Sequence, residues 1–177
     1  MLDVFNPAKA VDNLEAFVAA GGNVLVIIMI VTFVLWLLLL ERILFFTTAG
    51  SAPRKRAEKS WEGRTDKKSW YAFSIRDKAI SEVEQTSFAY LGVIKGIIAV
   101  LPLLGLLGTV TGMVEVFDVM ASTGSSNARL MAGGITKATI PTMAGLAASL
   151  SGILVSNFIE AQAKKQVRDT THNLVIG

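Results

Sequence analysis

The chain has 177 residues, 52% of them hydrophobic and only 18% charged, with a mean hydropathy of +0.53. Soluble domains carry about 25% charged residues, so this balance points to membrane spans. There is no cysteine, which excludes disulfides, thiolate metal sites and cysteine nucleophiles. The single histidine, His172, lies in the polar tail QVRDTTHNL, where a solvated side chain is expected in place of a metal ligand or catalytic base.

Residues 1–22 open the chain. Pro7 to Ala20 places Val11, Leu14, Phe17 and Val18 on one face and stops at Gly21-Gly22, the pattern of a short amphipathic helix on the outer membrane surface. Residues 23–46, NVLVIIMIVTFVLWLLLLERILFF, carry no charge before Glu41 and Arg42 and reach roughly 36 Å as a helix, enough for a first span. A cleaved signal peptide is not expected, because Asp3, Asp12 and Glu15 outnumber Lys9 upstream and the apolar run exceeds the usual 7 to 15 residues or so.

Residues 47–87 form a basic segment with Arg54, Lys55, Arg56, Lys59, Arg64, Lys67, Lys68, Arg76 and Lys78. Cytoplasmic retention explains these charges without a nucleic-acid or lipid partner. Helical spacing in SEVEQTSFA, Ser81 to Ala89, predicts that the second span, 88–121, continues into the cytoplasm as one long helix. The connection 122–133 has Arg129 as its one base, the third span is 134–159, and the tail 160–177 brings Lys164, Lys165 and Arg168. The positive-inside rule then puts the N-terminus and the 122–133 loop outside and the basic segment and C-terminus inside.

Small residues recur four apart at Gly92 and Gly96 and at Gly108 and Gly112 on span two, and Gly145, Ser149, Gly152 and Ser156 form a stripe on span three. Such stripes let helix backbones approach closely in lipid. Packing does not explain Thr109 and Thr142, single hydroxyls in the middle of mostly apolar strips. A threonine can return its hydroxyl to the preceding turn, yet two at comparable depth suggest a shared polar site. If the two are level, Glu115 and Lys137 lie about 9 Å and 7.5 Å outward of them on antiparallel spans. Two readings follow: an ion pair, since either charge alone is costly in hydrocarbon, or independent snorkelling to the outer headgroups.

At these residues a family pattern is visible. LPLLGLLGTVTGMVEVF, Leu101 to Phe117, followed by GITKATIPTMAGLAASLSGILVSN, Gly134 to Asn157, resembles the paired signature of the ExbB/TolQ/MotA proton-channel family, and the first span with its Glu41-Arg42 pair is similar to that of ExbB. The resemblance implies an all-α protein of the bacterial inner membrane with three transmembrane helices, spans two and three lining a pore in a homo-pentamer. It implies an ExbD-like single-span partner whose transmembrane Asp carries the proton, contacted by Thr109 and Thr142. It also implies that proton flow energises a TonB-like protein for outer-membrane transport, or serves envelope integrity in a TolQ-like role. No cofactor and no catalytic or metal residues are expected; Gly108, Gly112, Gly145 and Gly152 are expected to pack helices.

Two departures stand out. ExbB and TolQ usually have glutamate where this chain has Lys137, and the position of Glu115 is often uncharged in that family. Either Glu115 supplies the negative charge locally, or the partner's acid suffices. Pro141, just before Thr142, should kink span three. GLLGTVTG resembles a phosphate-binding loop but lacks the GK[ST] ending and a preceding strand, so an enzyme is not expected. A non-conducting membrane scaffold is the reading from another class, and it is distinguished by whether Thr109 and Thr142 reach a common lumen.

Overall fold

A computed structural model describes residues 7–48, 50–67, 69–124 and 128–174. The elements among them are helices: α1 (Pro7–Thr48), α2 (Ser51–Glu62), α3 (Trp70–Phe88), α4 (Leu91–Thr123) and α5 (Ala128–Asn173). Backbone groups in hydrocarbon must be satisfied within the segment, and a helix does this. Three helical stretches, Gly21–Glu62, Trp70–Ser122 and Met131–Asn173, are long and apolar enough to cross a membrane.

Three local features depart from the sequence expectation or refine it. Gly22 takes φ 64° and ψ −165° inside α1, a conformation open to glycine at little cost, so the segment before it is set off from the span after it. Of the amphipathic face expected before Gly22, the side chains of Val11 and Leu14 and the whole of residues 1–6 lie outside what is described, while Phe17 is exposed and Val18 half-buried. The single long helix expected through Ser81 to Ala89 is interrupted: Ala89 is extended (ψ 139°) and Tyr90 has φ 61°. A positive φ is strained for a bulky residue and persists only where the surroundings hold it; here the Arg42 guanidinium lies 5.0 Å from the Tyr90 ring centroid. The helix also runs on through both Pro102 in α4 and Pro141 in α5.

The chain divides into two compact units, one of residues 1–35 with 97–151 and one of residues 36–96 with 152–177. In the first, α4 and α5 are antiparallel, and glycines of one helix stand against backbone or short side chains of the other. A methyl group on Gly112 would lie 2.7 Å from Ala138 Cβ, and one on Gly145 would lie 2.6 Å from the Leu101 carbonyl oxygen. A methyl on Gly108 would overlap Pro141 Cβ. Pro102 has no N–H to give to the carbonyl of Ile98 four residues earlier; the buried Ser149 hydroxyl donates to that carbonyl at 3.1 Å. A side-chain donor thereby fills the gap that the proline leaves.

The second unit is held by longer side chains. Trp61, Ala72 and Leu174 form a small buried cluster with Ala79 and Ile80 against it. Arg76 donates to the Leu174 carbonyl at 2.8 Å, and Asn173 donates to Glu58 at 2.6 Å. Arg54 reaches both Glu58 (2.8 Å) and Asp169 (3.3 Å). Arg42, only 4% exposed, pairs with Glu41 at 2.8 Å, donates to the Thr86 carbonyl at 3.2 Å and lies 4.9 Å from the Phe45 ring centroid.

Candidate functional site

The α4–α5 register fixes the depth of each polar residue in the first unit. Gly112 meets Ala138, Gly108 meets Pro141 and Gly105 meets Thr142. Thr142 therefore sits beside Gly105, four residues before Thr109 along α4, which is about 6 Å at the rise of a helix. The premise that the two threonines are level does not hold.

Their hydroxyls are engaged differently. Thr109 Oγ1 donates to its own helix, to the Leu106 carbonyl at 2.7 Å. Thr142 Oγ1 crosses to α4 and donates to the Gly105 carbonyl at 2.8 Å, an approach that the missing side chain of Gly105 permits. Both residues are half-buried. A hydroxyl has one donor and two acceptor lone pairs, so each oxygen can still accept a hydrogen bond from another acid.

Glu115 and Lys137 have a different setting. With Ala138 beside Gly112, Lys137 falls beside Met113, and Glu115 lies two residues further along α4, about 3 Å in axial distance. Both are exposed and both line one half-open cavity of about 400 Å³. As to the two readings, ion pair or independent exposure, no salt bridge within 4 Å joins Glu115 and Lys137 among the described residues. One enters the cavity from α4 and the other from α5, with Thr111, Asn23 and the glycines Gly21, Gly22 and Gly134 completing much of the lining. Thr111 itself donates back to the Leu107 and Gly108 carbonyls.

Of the glycines expected to pack helices, Gly108, Gly112 and Gly145 stand at the α4–α5 contact, and Gly152 is buried in the second unit. Gly92 and Gly96 differ. A methyl on either would meet nothing within 4 Å, so among the described residues this small-residue pair makes no close helix contact.

Two arrangements are not legible in the sequence. Lys95 lies inside the apolar run assigned to span two and pairs with Glu160 at 2.7 Å, while Lys164 holds the same carboxylate at 2.8 Å. The lone base in LGVIKGII and the first acid after span three are visible in the sequence, but their pairing depends on helix register. Arg42 reads as the end of a span, and nothing in the sequence announces the Phe45 and Tyr90 rings around it. Thr111, two residues from Thr109 and equally visible in the sequence, is the threonine that lines the cavity.

Comparison with known proteins agrees with this architecture. Residues 50–172, more than half of the chain, match the MotA/TolQ/ExbB proton channel family. A Synechocystis sp. protein named biopolymer transport protein ExbB-like 3 is 39% identical over 72 residues, which cover 40% of this chain and 34% of that protein. Biopolymer transport protein exbB1 of Vibrio cholerae is 36% identical over 74 residues, covering 41% and 32% respectively. Biopolymer transport protein ExbB-like 1 of Synechocystis sp. is 39% identical over 74 residues, covering 40% and 29%. The chain thus aligns with about a third of the length of each relative. With membrane-length helices joined by glycine contacts and a match that runs from the start of α2 almost to the end of α5, the chain belongs to the MotA/TolQ/ExbB proton channel family.

Proposed function

We propose that this protein is the ExbB-like channel subunit of a bacterial inner-membrane energy transducer. Copies of the chain, a pentamer by family resemblance, surround ExbD-like single-span partners, and a transmembrane aspartate of the partner carries the proton past Thr109 and Thr142. The observation that carries this reading is the state of those two hydroxyls. Each is half-buried, each donates to a backbone carbonyl, and each keeps oxygen lone pairs for a further contact. A protonated aspartic acid can donate to such an oxygen; once ionised, it can receive the hydroxyl hydrogen if the side chain rotates away from its carbonyl. A group that serves both forms suits a site where a carboxyl alternates between them. The axial offset of the hydroxyls gives the acid two successive contacts along the helices.

Proton movement in this reading powers a TonB-like protein and outer-membrane transport. The relatives are named for biopolymer transport, which favours the ExbB-like role over the TolQ-like one. Growth rescue in strains lacking either system separates the two roles. The test of the mechanism is Thr109→Ala and Thr142→Ala in cells carrying the partner proteins. Losing a hydrogen bond to a charged group costs about 1.5 to 3 kcal/mol, so energised uptake should fall about tenfold or more while membrane insertion and assembly persist. Unchanged uptake in both variants sinks the assignment, and absent proton flux in reconstituted vesicles leaves a scaffold.

A further inference from the structure

The cavity that Glu115 and Lys137 share is not used by the proposed proton path, which runs past Thr109 and Thr142. Its chemistry is unusual for a membrane helix pair. It holds one carboxylate and one ammonium that do not pair with each other, although the α4–α5 register separates them by only about 3 Å along the axis. Unlike charges attract strongly at low dielectric, and each is expensive in hydrocarbon without a partner. Such an arrangement is stable when something between the two charges satisfies both.

We propose that the cavity is a binding site for the headgroup of a zwitterionic, ethanolamine-type glycerophospholipid, with its phosphate on Lys137 and Asn23 and its ammonium on Glu115. Size supports this occupant. About 400 Å³ falls at the lower end of small-ligand pockets and would hold roughly a dozen waters at liquid density, too much room for a single ion. Charge selects the headgroup class. A purely anionic headgroup satisfies Lys137 and leaves Glu115 facing a like charge, whereas a primary ammonium offers three N–H donors to the carboxylate. The acyl chains have an apolar route at the cavity itself, because Val116, Val119 and Met120 are part of its lining. The small residues of the lining have a use in the same picture: Gly22 has open space where a side chain would project. This inference requires that the helices span a membrane; it does not require that protons are conducted.

The test is native mass spectrometry of the purified full-length protein after exchange into detergent with equal amounts of phosphatidylethanolamine and phosphatidylglycerol. Wild type should retain phosphatidylethanolamine in about tenfold preference. Glu115→Gln should bring the preference close to one, and Lys137→Gln should reduce retention of both lipids. Helical circular dichroism and oligomer size report whether each variant is intact. A second arm needs wild type alone: its thermal unfolding should shift upward in mixed micelles containing phosphatidylethanolamine relative to those containing phosphatidylcholine, whose methylated nitrogen lacks N–H donors. Equal retention of both lipids by wild type, a preference that survives both substitutions, or identical unfolding in the two micelles overturns the proposal and assigns the cavity to water. Because Thr109 and Thr142 are untouched, these outcomes are independent of the conduction test.

Discussion

The two compact units of this chain are held together by opposite means. In the unit of residues 1–35 and 97–151, contact depends on side chains that are missing or very short: Gly108 against Pro141, Gly112 against Ala138, and single hydroxyls from Ser149 and Thr142 on the carbonyls of Ile98 and Gly105. In the unit of residues 36–96 and 152–177, contact depends on long charged side chains, with Arg42, Arg54, Arg76 and Lys95 each reaching another helix. Lipid tails are as apolar as leucine, so helices in hydrocarbon gain from close backbone approach and from each donor that meets a carbonyl. Long basic side chains hold helices by another route: the stem is buried while the charge is paired, as Arg42 is with Glu41 and Lys95 with Glu160.

Breaking the close-contact side should cost most. Gly108→Val places atoms inside Pro141 and should destabilise the protein by about 3 kcal/mol. Gly92→Ala, where a methyl meets nothing within 4 Å, should stay within about 0.5 kcal/mol; reversible unfolding in mixed micelles measures both. Equal effects would mean that the glycines are not distinguished by contact. On the other side, Arg42→Leu removes the donor to Thr86 and the cation between the Phe45 and Tyr90 rings. A loss of about 2 kcal/mol is expected. Lysine at this position should recover less than half of it, because an ammonium lacks the planar fork and stacking surface. Full rescue by lysine would show that charge alone matters.

Ser149→Ala is the next, smaller perturbation. It leaves the Ile98 carbonyl without the donor that compensates for Pro102, and should cost about 1 kcal/mol. In a Pro102→Ala background the backbone N–H returns and the same substitution should cost less, so the double-mutant cycle isolates the compensation. Smallest of all is a pH effect. The Arg54 guanidinium, with help from the Asn173 amide, holds the Glu58 carboxyl below its ordinary value of 4.5. A depressed carboxyl contributes stability above its unfolded pKa and loses it as pH falls through the folded value. Amide exchange near Asn173 and Leu174 should therefore rise modestly as pH falls below 4.5, after correction for intrinsic exchange rates. Glu58→Gln should remove that dependence.

Much of this was legible from residue order. Helix identity follows from apolar length, since a chain in hydrocarbon has few other ways to satisfy its backbone, and the glycine spacing in GLLGTVTG and AGLAASLSG marks faces that can approach closely. Register was not legible. The sequence places Thr109, Thr142, Glu115 and Lys137 on helices, but which residues stand opposite one another depends on which small side chains interlock, and a shift of one turn separates hydroxyls assumed to be level. The break at Tyr90 was hidden for a related reason. SEVEQTSFAY carries no glycine or proline, and the strained backbone there accompanies Arg42, which is distant in sequence and adjacent only after folding.

Sequence alone therefore determined that this protein is helical, membrane-spanning and glycine-packed, because hydropathy and spacing act along one helix at a time. Tertiary structure decided that Ser149 compensates for Pro102, that Glu115 and Lys137 share a cavity without pairing, and that Lys95 meets Glu160. Each of these depends on distances between helices, and such distances are set by how surfaces fit together.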